Sequence, residues 1–182
     1  MRDCLCFEKH FRQSKANRWL FGQGTARLDP ATVDIPKVWH ERPIYYKGNH
    51  FSVIGTDAEV HWHKYSQTID YELELAVVIG RSARKVKAAQ AMQHVAGYTV
   101  CNDYAIRDYL ENWYRPNLRV KNRDTCTVLG PWFVDAADVP DPHALQLRTW
   151  VNGKMTQQGC TADMVNRIPE LIEYLSEFMT LQ

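Results

Sequence analysis

The stretch Asp70-Tyr-Glu-Leu-Glu-Leu-Ala-Val-Val-Ile-Gly80 has the apolar, β-branched character of a buried strand, with two acids inside it. Side chains alternate faces along a strand, so Glu72 and Glu74 share one face while Tyr71, Leu73 and Leu75 share the other. Two carboxylates this close repel, and desolvation within a sheet sharpens the conflict. A hard divalent cation removes it, because Mg2+, Mn2+ and Ca2+ prefer oxygen ligands. Standing alone, however, the pair is explained more simply by two solvated acids on an exposed edge face.

Working outward, the spacing predicts a helix over 3–15 with Phe7 and Phe11 on one side, then an irregular Gly/Pro/Asp-rich stretch over 22–43 that reads as a loop or lid. Short strands are expected over 51–54, 59–62, 71–79 and 98–102, with a helix over 85–95 closed by Gly97 as its C-terminal cap. Residues 103–117 read as part helix, part loop. Two further strands, over 127–134 and 145–151, precede Asn152-Gly153, a turn pair that tolerates positive φ and signals a hairpin. A last helix starts near Pro169 and puts Leu171, Ile172, Leu175, Phe178 and Met179 at core spacing. The fold class is α+β, mainly β, built from short strands. It divides into an N-terminal helix and lid (1–43) and a main domain (44–182).

With 45% hydrophobic and 24% charged residues, the 182-residue chain has the composition of a folded domain. A net charge of +1 gives no general attraction to nucleic acid or anionic membrane. No run of about 18 apolar residues occurs, so no transmembrane helix is expected. The first residues carry charges throughout instead of a secretory apolar core. Five scattered cysteines without a CxxC pair argue against structural zinc or a disulfide framework. A cytoplasmic protein with reduced thiols is the expectation.

Other chemistry-bearing residues keep the acid pair company. Asn102-Asp103 ends an apolar strand and places a third carboxylate where sites tend to be assembled. Arg107 and Lys121 follow, suited to an anionic substrate or to ordinary surface charge. Asp3, Phe7 and His10 fall at i, i+4 and i+7 on the expected first helix, so Asp3 and His10 read as a fourth carboxylate beside a general base, or as surface residues. His61 and His63 share a face of an expected strand but lack a third ligand, and they read as surface. Trp113, Tyr114, Trp132 and Trp150, without a basic surplus, suit core and pocket rather than base stacking.

The blocks DYELELAVVIG, GYTVCNDYAIRD, VKNRDTCTVLGPWFV and WVNGKMTQQGCTADM, in this order, resemble the fumarylacetoacetate hydrolase superfamily. NDYAIRDYLENWYRPNLRVKNRDTCTVLGP and IEYLSEFMTL are most similar to its bifunctional isomerase/decarboxylase branch of homoprotocatechuate (4-hydroxyphenylacetate) catabolism. That branch handles 2-hydroxyhepta-2,4-diene-1,7-dioate and 5-oxopent-3-ene-1,2,5-tricarboxylate. RDCLCFEKHF and PIYYKGNHFSVIG are similar to segments of fumarylacetoacetase itself.

The resemblance implies a mixed β-sandwich roll of the family's C-terminal-domain type. It implies that Glu72, Glu74, Asp103 and Asp3 ligate a divalent metal, Mg2+ with Mn2+ or Ca2+ as alternatives. By the same resemblance His10 is the general base, Tyr46, Arg107 and Lys121 contact a small oxo-acid substrate, and the assembly is a homodimer. Leu110 stands where fumarylacetoacetase has a glutamine, which suits the isomerase/decarboxylase branch. The family pattern continues beyond the last helix with a Pro-Gly-Asp turn and a Gly-Thr-Pro segment, so the expectation is a domain truncated at its C-terminus. An acylpyruvate- or fumarylacetoacetase-type C–C hydrolase and an inactive remnant are the alternatives.

Overall fold

The computed structural model describes residues 1–22, 24, 26–108 and 117–182; Leu110, Trp113, Tyr114 and most of the 103–117 stretch lie outside the described residues. The first half of the chain forms β1 (Asp3–Cys4), α1 (Glu8–Ala16), α2 (Lys37–Glu41), β2 (Tyr45–Tyr46), β3 (Val53–Gly55), β4 (Ile69–Asp70) and β5 (Leu73–Ile79). The remainder forms α3 (Ala88–Ala91), β6 (Val95–Asp103), β7 (Ala105–Ile106), α4 (Asn117–Val120), β8 (Thr127–Asp135), β9 (Gln146–Val151), β10 (Lys154–Cys160) and α5 (Ile168–Phe178). Among the described residues, one four-stranded sheet has the order β3-β8-β6-β5, beside three two-stranded ladders. This mixture of short strands and few helices is α+β. The chain divides into two compact units, Met1–Glu72 with Cys101–Leu129 and Leu73–Val100 with Gly130–Gln182.

In the first unit, β1 pairs antiparallel with β2, setting Asp3 opposite Tyr46 and Cys4 opposite Tyr45. Residues 3–4 therefore extend a ladder instead of starting a helix, and α1 begins only at Glu8, an acid suited to the positive end of the helix dipole. The expected single helix face holding both Asp3 and His10 does not exist. Arg12 ties α1 to the segment after it, bonding Glu8 at 2.8 Å and donating to the Val33 carbonyl. Trp39 of α2 is buried and packs its ring 6.2 Å from Phe11. The parallel pairing of β3 with the start of β8, Val53 opposite Thr127, fixes the backbone on which Thr127 sits. Residues 59–63 form no strand: His61 N–H donates to Thr125 Oγ1 at 2.9 Å, a side-chain bond where a ladder would need a backbone partner.

The second unit carries a core of its own. Ala83, Ala91, Val95, Tyr98, Ile168 and Ile172 are buried together, and Leu75, Val77 and Ile79 of β5 pack against them. The odd-numbered side of β5 thus faces apolar neighbours, as the alternation predicts, which leaves Glu74, Ala76 and Val78 on the other side. The helix expected over 85–95 is shorter, a turn of α3 and one 3-10 turn. Gly97 lies within β6 instead of capping a helix; a Cβ there would strike the Val134 carbonyl and the Phe133 ring. The hairpin β9–β10 turns at Asn152 (φ 50°) and Gly153 (φ 77°), both left-handed as the sequence requires. Helix α5 buries Ile168, Ile172 and Leu175, but Phe178 is half exposed and Met179 ends the helix. Its N-terminus is capped by Glu170, which accepts from Arg167 N–H at 2.7 Å, and by His143 Nε2, which accepts from Ile168 N–H at 3.1 Å. Among the described residues no helix is long and apolar enough to cross a membrane.

Candidate functional site

Asp103, at the C-terminal end of β6, is 1% exposed, and that burial demands compensation for its charge. Among the described residues, compensation comes from three side chains. Thr127 donates its hydroxyl to Oδ1 at 3.2 Å, Lys121 places Nζ 2.9 Å from Oδ2, and the Tyr46 hydroxyl donates to Oδ2 as well. The neighbouring acid is locked to the same strand end: Asp103 N–H donates to the Glu72 carbonyl at 3.0 Å, and Glu72 N–H to Asn102 Oδ1 at 3.1 Å. One backbone bond and one to the Asn102 side chain thus hold Glu72 beside Asp103, which sequence separation alone does not reveal.

Glu72 is held by cations at both oxygens. Arg107 Nη2 lies 2.7 Å from Oε1, and Lys121 Nζ bonds Oε2. Arg107 in turn donates from Nε to Asp70 Oδ2 at 2.8 Å. Burial works to raise the Glu72 pKa, but the Lys121 and Arg107 charges beside it outweigh that and hold it below the usual carboxylate range. Burial likewise opposes the charge on Lys121, yet Glu72 and Asp103 push its pKa above the ordinary lysine value. Lys121 also donates to the Asp103 carbonyl at 2.9 Å, so all three of its N–H directions are committed. For Lys121 to grip a substrate oxygen, it must release one of these bonds.

His10 stands on α1 with part of its surface open to solvent. Desolvation by the surrounding protein is the largest influence on it and lowers its pKa. Glu72 pulls it up, and Arg107 and Lys121 push it down. The net direction is below the ordinary imidazole value, which keeps the ring neutral and able to accept a proton at neutral pH. Asp3, on β1, presents a carboxylate oxygen within 4.8 Å of one from Asp103. Two acids at that spacing are all-oxygen donors of the kind a hard divalent cation takes, so the residues present fit such an ion. Glu74 follows Glu72 by two residues and stands on β5 in the second unit.

Of the residues singled out from sequence, the first unit therefore groups Asp103, Glu72, Lys121, Arg107 and Tyr46 in one bonded network, with Asp3 beside Asp103 and His10 within its electrostatic reach. His61 and His63 stay outside that network; His63 stacks on Tyr65 with ring centroids 5.3 Å apart. Thr127 was not foreseen. A threonine opening a strand carries no sequence signal for a buried bond to an acid 24 residues earlier.

A family model described as fumarylacetoacetate (FAA) hydrolase C-terminal matches residues 1–182. The 4-hydroxyphenylacetate degradation bifunctional isomerase/decarboxylase of Salmonella dublin is 70% identical over 112 residues, 62% of this chain and 26% of that protein. The human mitochondrial oxaloacetate tautomerase FAHD2A is 40% identical over 149 residues, 81% of this chain and 46% of that one. Among solved structures, the 5-carboxymethyl-2-hydroxymuconate delta-isomerase of Mycobacterium smegmatis superposes with a TM-score of 0.70 at 34% identity, covering 77% of this chain and 54% of that one. The match thus spans about a quarter of the length of the bifunctional relative and about half of the other two.

Proposed function

Because the chain belongs to the fumarylacetoacetate (FAA) hydrolase C-terminal family, we propose that it serves a divalent-metal-dependent isomerase/decarboxylase acting on 2-oxo or 2-hydroxy-dienoate di- and tricarboxylates of aromatic catabolism. The observation that carries this reading is the charge network at the end of β6. The two cations Arg107 and Lys121, the buried Asp103 carboxylate and the half-buried Glu72 carboxylate are bonded together there, with the His10 imidazole within electrostatic reach. The 70% identity to an isomerase/decarboxylase supports the choice of branch.

Asp3, Glu72, Glu74 and Asp103 are the proposed ligands, for Mg2+ or, as alternatives, Mn2+ or Ca2+. A bound ion of this kind supplies Lewis-acid stabilisation of an enolate oxygen. The chain's own residues do the rest. Arg107, anchored by Asp70 and Glu72, directs its guanidinium charge at a substrate carboxylate. Lys121, once it yields a bond to the acids, neutralises negative charge developing on the substrate. His10 accepts and returns the migrating proton, and Tyr46 stands beside the Asp103 carboxylate to contact the substrate. Isomerisation and decarboxylation share the same dienolate, so one constellation serves both.

Incubating the protein and Mg2+ with 5-oxopent-3-ene-1,2,5-tricarboxylate, an acylpyruvate and oxaloacetate tests the reading. CO2 release from the tricarboxylate is expected. Cleavage of the acylpyruvate without CO2 release would reject it in favour of a hydrolase, and oxaloacetate tautomerisation alone would favour the activity named for the human relative. A pH profile adds a second check. Since the His10 pKa lies below its ordinary value of 6.5, the acid limb of kcat/KM should have its midpoint below pH 6.5. In His10→Gln that acid limb should disappear along with most of the activity.

A further inference from the structure

Asp103 accepts three side-chain hydrogen bonds among the described residues, two at Oδ2 from Tyr46 and Lys121 and one at Oδ1 from Thr127. An ionised carboxylate offers about four lone-pair directions. The direction left over is therefore on Oδ1, the oxygen that Thr127 holds. We propose that Thr127 is a positioning residue, whose hydroxyl fixes the Asp103 carboxylate so that the second lone pair of Oδ1 is the one presented to a divalent cation.

Three features suit Thr127 to this task. Its side chain is 0% exposed, so no water competes for the hydroxyl. Its backbone is set by the parallel pairing opposite Val53. As a β-branched residue it has a stiff χ1, so a fixed backbone means a fixed hydroxyl. The hydroxyl has one proton, and an ionised carboxylate can only accept, so the proton points at Asp103. The Cys126 thiol beside it, 3.6 Å from Oγ1, has its own acceptor in the Lys121 carbonyl at 3.4 Å. The turn that carries the Lys121 ammonium and the strand start that carries Thr127 are thus joined through Cys126. Both oxygens of one carboxylate are gripped from this single segment.

The inference rests on the proposed metal reading, so its test separates the two. Mg2+ affinity is measured by isothermal titration calorimetry for the parent chain, Thr127→Val, Thr127→Ser and Asp103→Asn, with metal-free melting and circular dichroism as a check on folding. Thr127→Val keeps the shape and removes the donor; a loss of roughly 10-fold or more in affinity is expected, the scale of losing a partner behind a metal ligand. Thr127→Ser, which retains the hydroxyl, should stay within about threefold of the parent. Affinity of Thr127→Val equal to the parent's, with Asp103→Asn unable to bind, would overturn the role of Thr127 alone. Unchanged binding by Asp103→Asn would overturn the metal reading with it. Should Thr127→Val fail to fold, Thr127→Ala makes the same comparison, and parent-like affinity there overturns the proposal equally.

Discussion

Lys121→Met is expected to destabilise the metal-free chain by about 3 kcal/mol or more, the scale for removing one partner of a buried ion pair. The reason is what stays behind. Asp103 is 1% exposed, and Glu72 would keep only Arg107 among its two cations. For a chain of this length each kcal/mol corresponds to roughly 2–4 °C, so thermal melting in EDTA should fall by about 6–12 °C. A shift below about 2 °C would mean that the network contributes little on balance. The same variant reports on pH. The Glu72 pKa is depressed in the folded chain, so its contribution is present above the ordinary carboxylate value of 4.5 and is lost as pH falls through the folded value. The Lys121 pKa is raised, so its contribution is present below 10.5 and is lost as pH rises through the folded value. Between those limits the parent should hold a plateau of stability, and in Lys121→Met the drop on the alkaline side should flatten.

Asp103→Asn is expected to abolish the stabilisation that Mg2+ gives and to lower turnover at least about 100-fold, since losing a ligand should cost no less than losing its supporting partner. An ion at about 100 times its Kd stabilises by about 2.7 kcal/mol, or roughly 5–10 °C here. Melting with and without Mg2+ at about 100 times the parent's Kd checks it. Parent-like stabilisation in Asp103→Asn would place the ion elsewhere. The two substitutions are complementary: one removes the cation that the protein supplies, the other the acid proposed to hold an external cation.

Local pattern carried a good part of the fold. The period-two alternation in β5 put Leu75, Val77 and Ile79 on the apolar side, and Asn152-Gly153 turned the hairpin where the left-handed pair stands. Strand endings were also legible, because Asp103 closes β6 as a polar residue after an apolar run. Helix limits were less so. Residues 3–4 and Gly97 depart from the local expectation because their state depends on partners far along the chain: Tyr45 and Tyr46 for the first, Val134 and Phe133 for the second. Propensity is a weak prior where such contacts compete with it.

The family was legible from residue identity and order, because its blocks recur in sequence, and the shared face of Glu72 and Glu74 was legible from strand alternation. Which group satisfies which was decided only by the tertiary structure. Glu72 is gripped by Lys121 and Arg107, Asp103 takes Thr127, Tyr46 and Lys121, and Asp3 reaches the site from a strand and not from the helix of His10. The physical reason is that burial leaves each charge dependent on partners within hydrogen-bond reach, and that reach is set by strand pairing between residues tens of positions apart.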